Sequence, residues 1–102
     1  MVRLVFCNCT VDEAPELARR LVREELAACV NIISGVTSVY RWEGECCEDE
    51  EATLLIKTTD DSYDEFKEAL RSYHSYEVPE IVAVEPRDVD DAYAGWVHEQ
   101  VR

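Results

Sequence analysis

Apolar positions along the chain change their period several times, and each change marks an element. The opening run VRLVFCNC, Val2–Cys9, is short and rich in β-formers and reads as a first strand. Beyond it Leu17, Leu21, Val22 and Leu26 recur at helical spacing. Asp12 is placed to cap that run and Pro15 is tolerable in its first turn, so a helix is predicted over 13–27. From Cys29 the composition becomes β-branched, and CVNIISGVTSVYRW predicts one long strand bent or bulged at Gly35. Glu43-Gly44 separates this run from a second β-rich one, which predicts a tight hairpin. The returning strand, CCEDEEATLLIKTT, is acidic near the turn and apolar at Leu54, Leu55 and Ile56.

The second half repeats the alternation. Thr59 or Asp60 can cap a helix in which Tyr63, Phe66, Leu70 and Tyr73 form one apolar stripe. Pro79 then excludes helix, EIVAVEP reads as a fourth strand stopped by Pro86, and DVDDAYAGWVHEQV reads as a third helix with Tyr93, Trp96, Val97 and Val101 turned inward. The order β-α-β-β-α-β-α is that of an α+β, ferredoxin-like sandwich: a four-stranded antiparallel sheet with two helices on one face, plus an additional C-terminal helix. With 102 residues and no linker, repeat or low-complexity segment, one domain spanning 1–102 is expected. The two middle strands, about 14 residues each, far exceed the roughly 5 to 6 usual in globular sheets. Their long β-hairpin must overhang the sheet, carrying Val39, Tyr40 and Trp42, and such an edge calls for a neighbouring copy to pair with it.

Charge narrows the partners. The 23 acidic against 10 basic residues give −13, which argues against a nucleic-acid partner and against anionic membranes. Only Lys57 and Lys67 are lysines, and acidic residues are scattered throughout, a halophilic type of composition suited to a salt-loaded cytoplasm. No run is long enough to cross a bilayer, and the start does not read as a signal peptide, so a soluble, cytoplasmic protein is expected. The five cysteines are odd in number, with Cys46 and Cys47 adjacent and Cys29 in the apolar run LAACVNII. Most of them read as reduced thiols, and Cys7-Asn8-Cys9 lacks zinc-site spacing.

The stretches RRLVREELAACVNIISGVTSVYRWEGE, LLIKTT, HSYEVPEIVAVEP and AYAGWVHEQVR, in that order, resemble the CutA family of divalent-cation-tolerance proteins. The resemblance implies a ferredoxin-like fold closed into a homotrimer through edge strands and the long hairpin. It also implies an architecture shared with PII-type signalling proteins, and a link to copper and other divalent ions. Two departures accompany it. Ser75 stands where the family usually has proline, which would leave that loop less rigid. The first residues align only with a shift, Cys9 matching a cysteine that some bacterial members carry before their first helix.

The chemistry divides along two lines. His74 and Glu80, with Cys9, supply an imidazole, a carboxylate and a thiol, donor types suited to copper or another divalent cation; alternatively His74 caps the helix that it ends. Lys57, Tyr76, Glu77, Arg41 and Trp42 would instead line a ligand cleft between subunits, where Lys57 either anchors an anion or pairs with Glu43, Glu77 or Glu80. Arg41 and Trp42 also fit a purely interfacial role. No Ser-His-Asp arrangement, HExxH or glycine-rich phosphate loop is present, so neither an enzyme nor an organic cofactor is expected. Two functions stand: a metal-binding tolerance protein, or a PII-like sensor of a small anionic effector that signals to a protein partner. The net charge itself yields an outcome to measure. Screening shrinks from about 10 Å at 0.1 M salt to about 3 Å at 1 M, so the melting temperature should rise between roughly 0.05 and 1 M sodium chloride; a flat profile would refute the reading of the acidic surface as a salt adaptation.

Overall fold

The computed structural model describes residues 1–102. The elements follow the expected order: β1 (Val2–Cys9), α1 (Ala14–Arg23), β2 (Cys29–Trp42), β3 (Glu45–Thr59), α2 (Tyr63–Tyr73), β4 (Val82–Val84) and α3 (Asp91–Gln100). They form one antiparallel sheet in the order β2-β3-β1-β4, the ferredoxin-like arrangement. The fourth strand is shorter than EIVAVEP suggested, because only Val82–Val84 ladders onto β1, opposite Phe6, Val5 and Leu4.

Helix α1 ends four residues before the expected Ala27, without a glycine. Glu25 takes the left-handed conformation at φ 60°, its N–H bonds the Val22 carbonyl at 3.0 Å, and Leu26 N–H reaches back to Leu21 O at 3.0 Å. This is the paired bonding of a Schellman close, with buried Leu26 joining Leu21 in the core. At the other end Asp12 does not cap. Thr10 and Glu13 do so reciprocally: Glu13 N–H donates to Thr10 Oγ1 at 3.1 Å, and Thr10 N–H to Glu13 Oε2 at 3.1 Å. The sequence T-x-x-E is a capping box, displaced upstream of the first full helical turn.

Alternation along the strands gives the sheet two unlike faces. Val5, Cys7, Cys9, Ala52, Leu54 and Ile56 point at α1 and α2 and, with Leu17, Leu21, Phe66 and Leu70, form the main core. The stripe expected on α2 is present, with Phe66 and Leu70 buried and Tyr63 and Tyr73 packed at its margins. The opposite face carries Leu4, Phe6, Leu55, Val82, Val84 and Ile33, all half-buried or exposed. Helix α3 covers only one end of it, through Val97 packed with Val2 and Ala28. Of the four residues expected to face inward from α3, Val97 is buried and Val101 packs at the edge of that cluster, whereas Tyr93 and Trp96 are exposed, their rings tilted by 38° with centroids 5.6 Å apart. Neither belongs to a buried cluster.

The hairpin overhangs as expected. Strand β3 pairs with β1 only from Ala52 onward; Glu45 to Glu51 pair with β2 alone. Both turn residues, Glu43 at φ 50° and Gly44 at φ 80°, are left-handed, which matches the strand twist in a two-residue hairpin. The molecule is accordingly elongated, 44 × 26 × 23 Å.

Ser75 does not loosen its loop. Its N–H and Oγ–H both donate to Glu13, at 3.2 and 2.6 Å, so one carboxylate ties the start of α1 to the segment after α2. Proline there would offer neither donor. Burial alone would raise the Glu13 pKa, but the hydrogen bonds from Ser75 and Thr10 outweigh it and hold the carboxyl below its ordinary value. A depressed carboxyl stabilises the fold above its unfolded pKa, and that contribution disappears as pH falls through the folded value. Glu13→Gln should therefore cost about 1 kcal/mol at pH 7 and progressively less in acid. Urea melts at a series of pH values measure this, and a cost independent of pH would contradict the role given to the charge.

Candidate functional site

The position of the site depends on one irregularity in β2. Ile33 pairs with Thr53, but Val36 pairs with Glu51, so Ser34 and Gly35 stand opposite Ala52 as a bulge, with Gly35 at φ 74°. The extra residue reverses which positions share a face. Before it, odd-numbered Cys29, Asn31 and Ile33 line the uncovered side of the sheet; after it, even-numbered Ser38, Tyr40 and Trp42 do so, together with Asp49 and Glu51 of β3. The segment following α2 folds across the root of this surface, and between the two lies a cleft of about 570 Å³. Ser38, Val39, Tyr40, Trp42, Asp49 and Glu51 form the hairpin wall, Tyr76, Val78 and Glu80 the opposite wall, and Asn8 the floor.

The floor is a hydrogen-bonded network. Glu51, only 7% exposed, accepts from the Tyr76 phenol at 2.6 Å and from Asn8 Nδ2 at 3.4 Å, while Thr53 Oγ1 donates to Asn8 Oδ1 at 2.8 Å. Burial and the Glu51 carboxylate push the Tyr76 phenol well above its usual pKa. Tyr40 donates to Asp49, which pushes its phenol up to about 12. Burial, then repulsion from Glu51, raises the Glu80 carboxyl above its ordinary value. None of Asp49, Glu51 and Glu80 meets a basic side chain; the chain's ion pairs all lie elsewhere.

His74 belongs to the framework of this site. It closes α2, its N–H on Leu70 O at 3.0 Å, and its ring is occupied on both sides. Nε2 lies 2.8 Å from the Asn8 carbonyl, so it must be the donor, and Nδ1 accepts from Tyr76 N–H at 3.0 Å. The Tyr76 ring packs against the imidazole at 4.7 Å. Of the two roles open to His74, the geometry favours holding the 74–80 segment over presenting a nitrogen to an ion. Cys9 is withdrawn further. It is fully buried on the helix-facing side, and burial, with Glu13 and Glu51 nearby, pushes its thiol up to about 11; Cys7, likewise buried, is pushed up to about 12. A thiolate ligand at Cys9 is therefore disfavoured, because the alternation that pairs Cys9 with Ala52 points it into the core.

The residues expected to line a cleft between subunits do not all reach this one. Trp42, Tyr76 and Glu80 line it, but Arg41 lies on the other face of β2, opposite Cys46, and Glu77 is exposed outside it. Lys57 is six residues from Glu51 along β3, about 20 Å of strand. It bonds Asn31 and approaches Cys29 Sγ at 3.9 Å, not Glu43, Glu77 or Glu80. No cationic anchor for an anion reaches the cleft. Asn8, Asp49 and Glu51, which do, were readable only as polar strand positions; the signal available was the period of two that puts Asp49 and Glu51 on one face, and the bulge obscures its match to β2.

Comparison with known proteins agrees with this fold. Residues 3–100 match the family model of the CutA1 divalent ion tolerance protein. A divalent-cation tolerance protein CutA of Thermus thermophilus is 48% identical over 88 residues, 86% of this chain and 85% of that protein. The CutA protein of Mus musculus is 39% identical over 96% of this chain, which spans 56% of that longer protein. Among solved structures, the divalent cation tolerance protein Cut A1 of T. thermophilus superposes with a TM-score of 0.95 at 42% identity, covering all of both chains. CutA of Xylella fastidiosa superposes with a TM-score of 0.95 at 34% identity, over 99% of this chain and 98% of its own. The chain belongs to the CutA1 divalent ion tolerance family.

Proposed function

We propose that the chain serves divalent-cation tolerance as a cytoplasmic homotrimer that binds copper or another divalent ion at the carboxylate side of its cleft. The observation carrying this reading is that Glu51 and Glu80 line the same cleft, where burial and then repulsion from Glu51 raise the Glu80 carboxyl, with no basic side chain to relieve them. A divalent cation would relieve that repulsion, and oxygen donors suit harder ions. One chain supplies an incomplete coordination sphere, since nowhere do three His, Cys, Asp or Glu side chains converge in a metal-ligating group. The remaining positions go to solvent or to a neighbouring copy. His74 would have to release Asn8 and Tyr76 before it could ligate.

Assembly is supported by the same surfaces that leave one copy unfinished. The hairpin overhangs with Val39, Tyr40 and Trp42 exposed, Leu4, Phe6, Ile33, Leu55, Val82 and Val84 form an uncovered apolar face, and β2 and β4 present free edges. Pairing at an edge consumes backbone groups, so the side chains of the cleft remain available to a ligand. The five free thiols agree with a reducing compartment.

Light scattering should give three times the 11.7 kDa of one chain; a stable monomer across a wide concentration range would refute the assembly. Titration calorimetry with Mn²⁺ and Cu²⁺ tests the site. Glu51→Gln and Glu80→Gln should each weaken binding, on the order of tenfold for loss of one charged ligand. Because Glu80 must lose its proton to bind, affinity should begin to fall, on acidification, at a higher pH than for an ordinary carboxylate. Loss of Cu²⁺ binding in His74→Ala with no effect of Glu80→Gln would move the site to the imidazole.

A further inference from the structure

The amine of Lys57 takes no part in the cleft or the core, yet it is not free. Lys57 stands directly opposite Cys29 in the ladder between β2 and β3, and both side chains lie on the same face of the sheet. Its nitrogen is 3.9 Å from the Cys29 sulfur and also bonds the Asn31 side chain. The backbone pins the pair, since Ala28 N–H donates to the Lys57 carbonyl at 2.9 Å. Tyr93 of α3 approaches the same sulfur, and burial, then that sulfur, raise its phenol above its ordinary value. The overhanging hairpin contributes nothing here: Cys29 opens β2, at the end of the ladder farthest from the 43–44 turn. The contact lies within one chain and is fixed by register, so covering this end with a neighbouring copy would leave it in place.

The pairing is particular to Cys29. Cys7 and Cys9 are sealed in the main core, and Cys46 and Cys47 stand opposite Arg41 and Tyr40, neither of which is an amine. The other lysine, Lys67, lies over the Tyr63 ring. A sulfenic acid condenses even with a backbone nitrogen, and an amine is a better nucleophile than an amide. We infer that Cys29 and Lys57 form a redox modification site at which hydrogen peroxide joins thiol to amine as a sulfenamide. The Cys29 sulfur attacks one peroxide oxygen, the O–O bond breaks, and the sulfur, oxidised by two electrons, carries a hydroxyl while water leaves. Lys57, its ammonium proton given to solvent, attacks that sulfur with its nitrogen; the S–O bond breaks and the hydroxyl departs as a second water with a proton from the amine. Thiol, amine and peroxide thus become one S–N bond and two waters. Small thiols reverse the change by attacking the sulfur and returning the amine. The bridge cancels the Lys57 charge and staples the first residue of β2 to β3. It owes nothing to the metal-binding reading.

The test treats the assembled full chain with hydrogen peroxide in metal-free buffer and reads its intact mass and tryptic peptides. Loss of two hydrogens is expected, with trypsin failing to cut after Lys57 while still cutting after Lys67, and both effects reversed by dithiothreitol. Cys29→Ser should abolish the protection of Lys57. Lys57→Arg keeps the positive charge but lacks the amine, so it should leave Cys29 as a sulfenic acid that dimedone labels several-fold more than in the unsubstituted chain. Loss of two hydrogens with normal cleavage after Lys57 would identify a disulfide among the five thiols instead and overturn the inference. Equal dimedone labelling of Cys29 in the two proteins, or a Cys29 that peroxide leaves unmodified in the assembled chain, would overturn it as well.

Discussion

Pairing between β2 and β3 continues well past the point where β1 stops, and most other properties of the molecule follow from that ladder. It carries the strand edges, lifts aromatic side chains clear of the core, and leaves a surface that the segment after α2 can close into a cleft. A ladder of this length has no internal reason to stop where the sheet does. Its outer part is held by backbone bonds to a single neighbour, a marginal arrangement in water for an isolated hairpin. The fold therefore places much of the cleft lining on its least supported element and compensates at the root, where Glu51, Tyr76, Asn8 and Thr53 bond one another across three segments.

The placement of Glu13 follows the same logic at the other end of that segment. One carboxylate serves the first turn of α1 and the backbone and hydroxyl of Ser75, so a position without proline is still fixed to a helix terminus. Together with the His74 ring, bonded at both nitrogens, this ties His74, Ser75 and Tyr76 to α1 and β1.

Element order was legible from periodicity because the core-facing stripe of α2 and the β-branched runs are unambiguous. Val2–Cys9, the 43–44 turn and the bulge at Gly35 all fell where their residues indicated. The end of α1 was not legible, since its closing residue is glutamate in a conformation that usually selects glycine. Nor was the outward placement of Tyr93 and Trp96: an apolar stripe on a helix says that it will be covered, not whether by its own chain. Of the candidate site residues, Trp42, Tyr76 and Glu80 line one cleft of the chain, whereas Cys9, Lys57, Arg41 and Glu77 lie outside it, a division that the sequence alone did not disclose. Strand side chains separate by face and by 3.4 Å steps, and both quantities require the register.

The two-against-one pairing at Ser34 and Gly35 also leaves a mark on how β2 tolerates change. Substitutions that matter to the cleft fall on even positions beyond Gly35, while the same side of the sheet is read at odd positions before it. A map of tolerance along Cys29–Trp42 would thus show a half-period phase slip at the bulge. Deleting either residue would restore an unbroken alternation with the pairing beyond it intact, so Tyr40 and Trp42 would keep their side of the sheet, and what the hairpin would lose is the bend and extra twist that a bulge supplies.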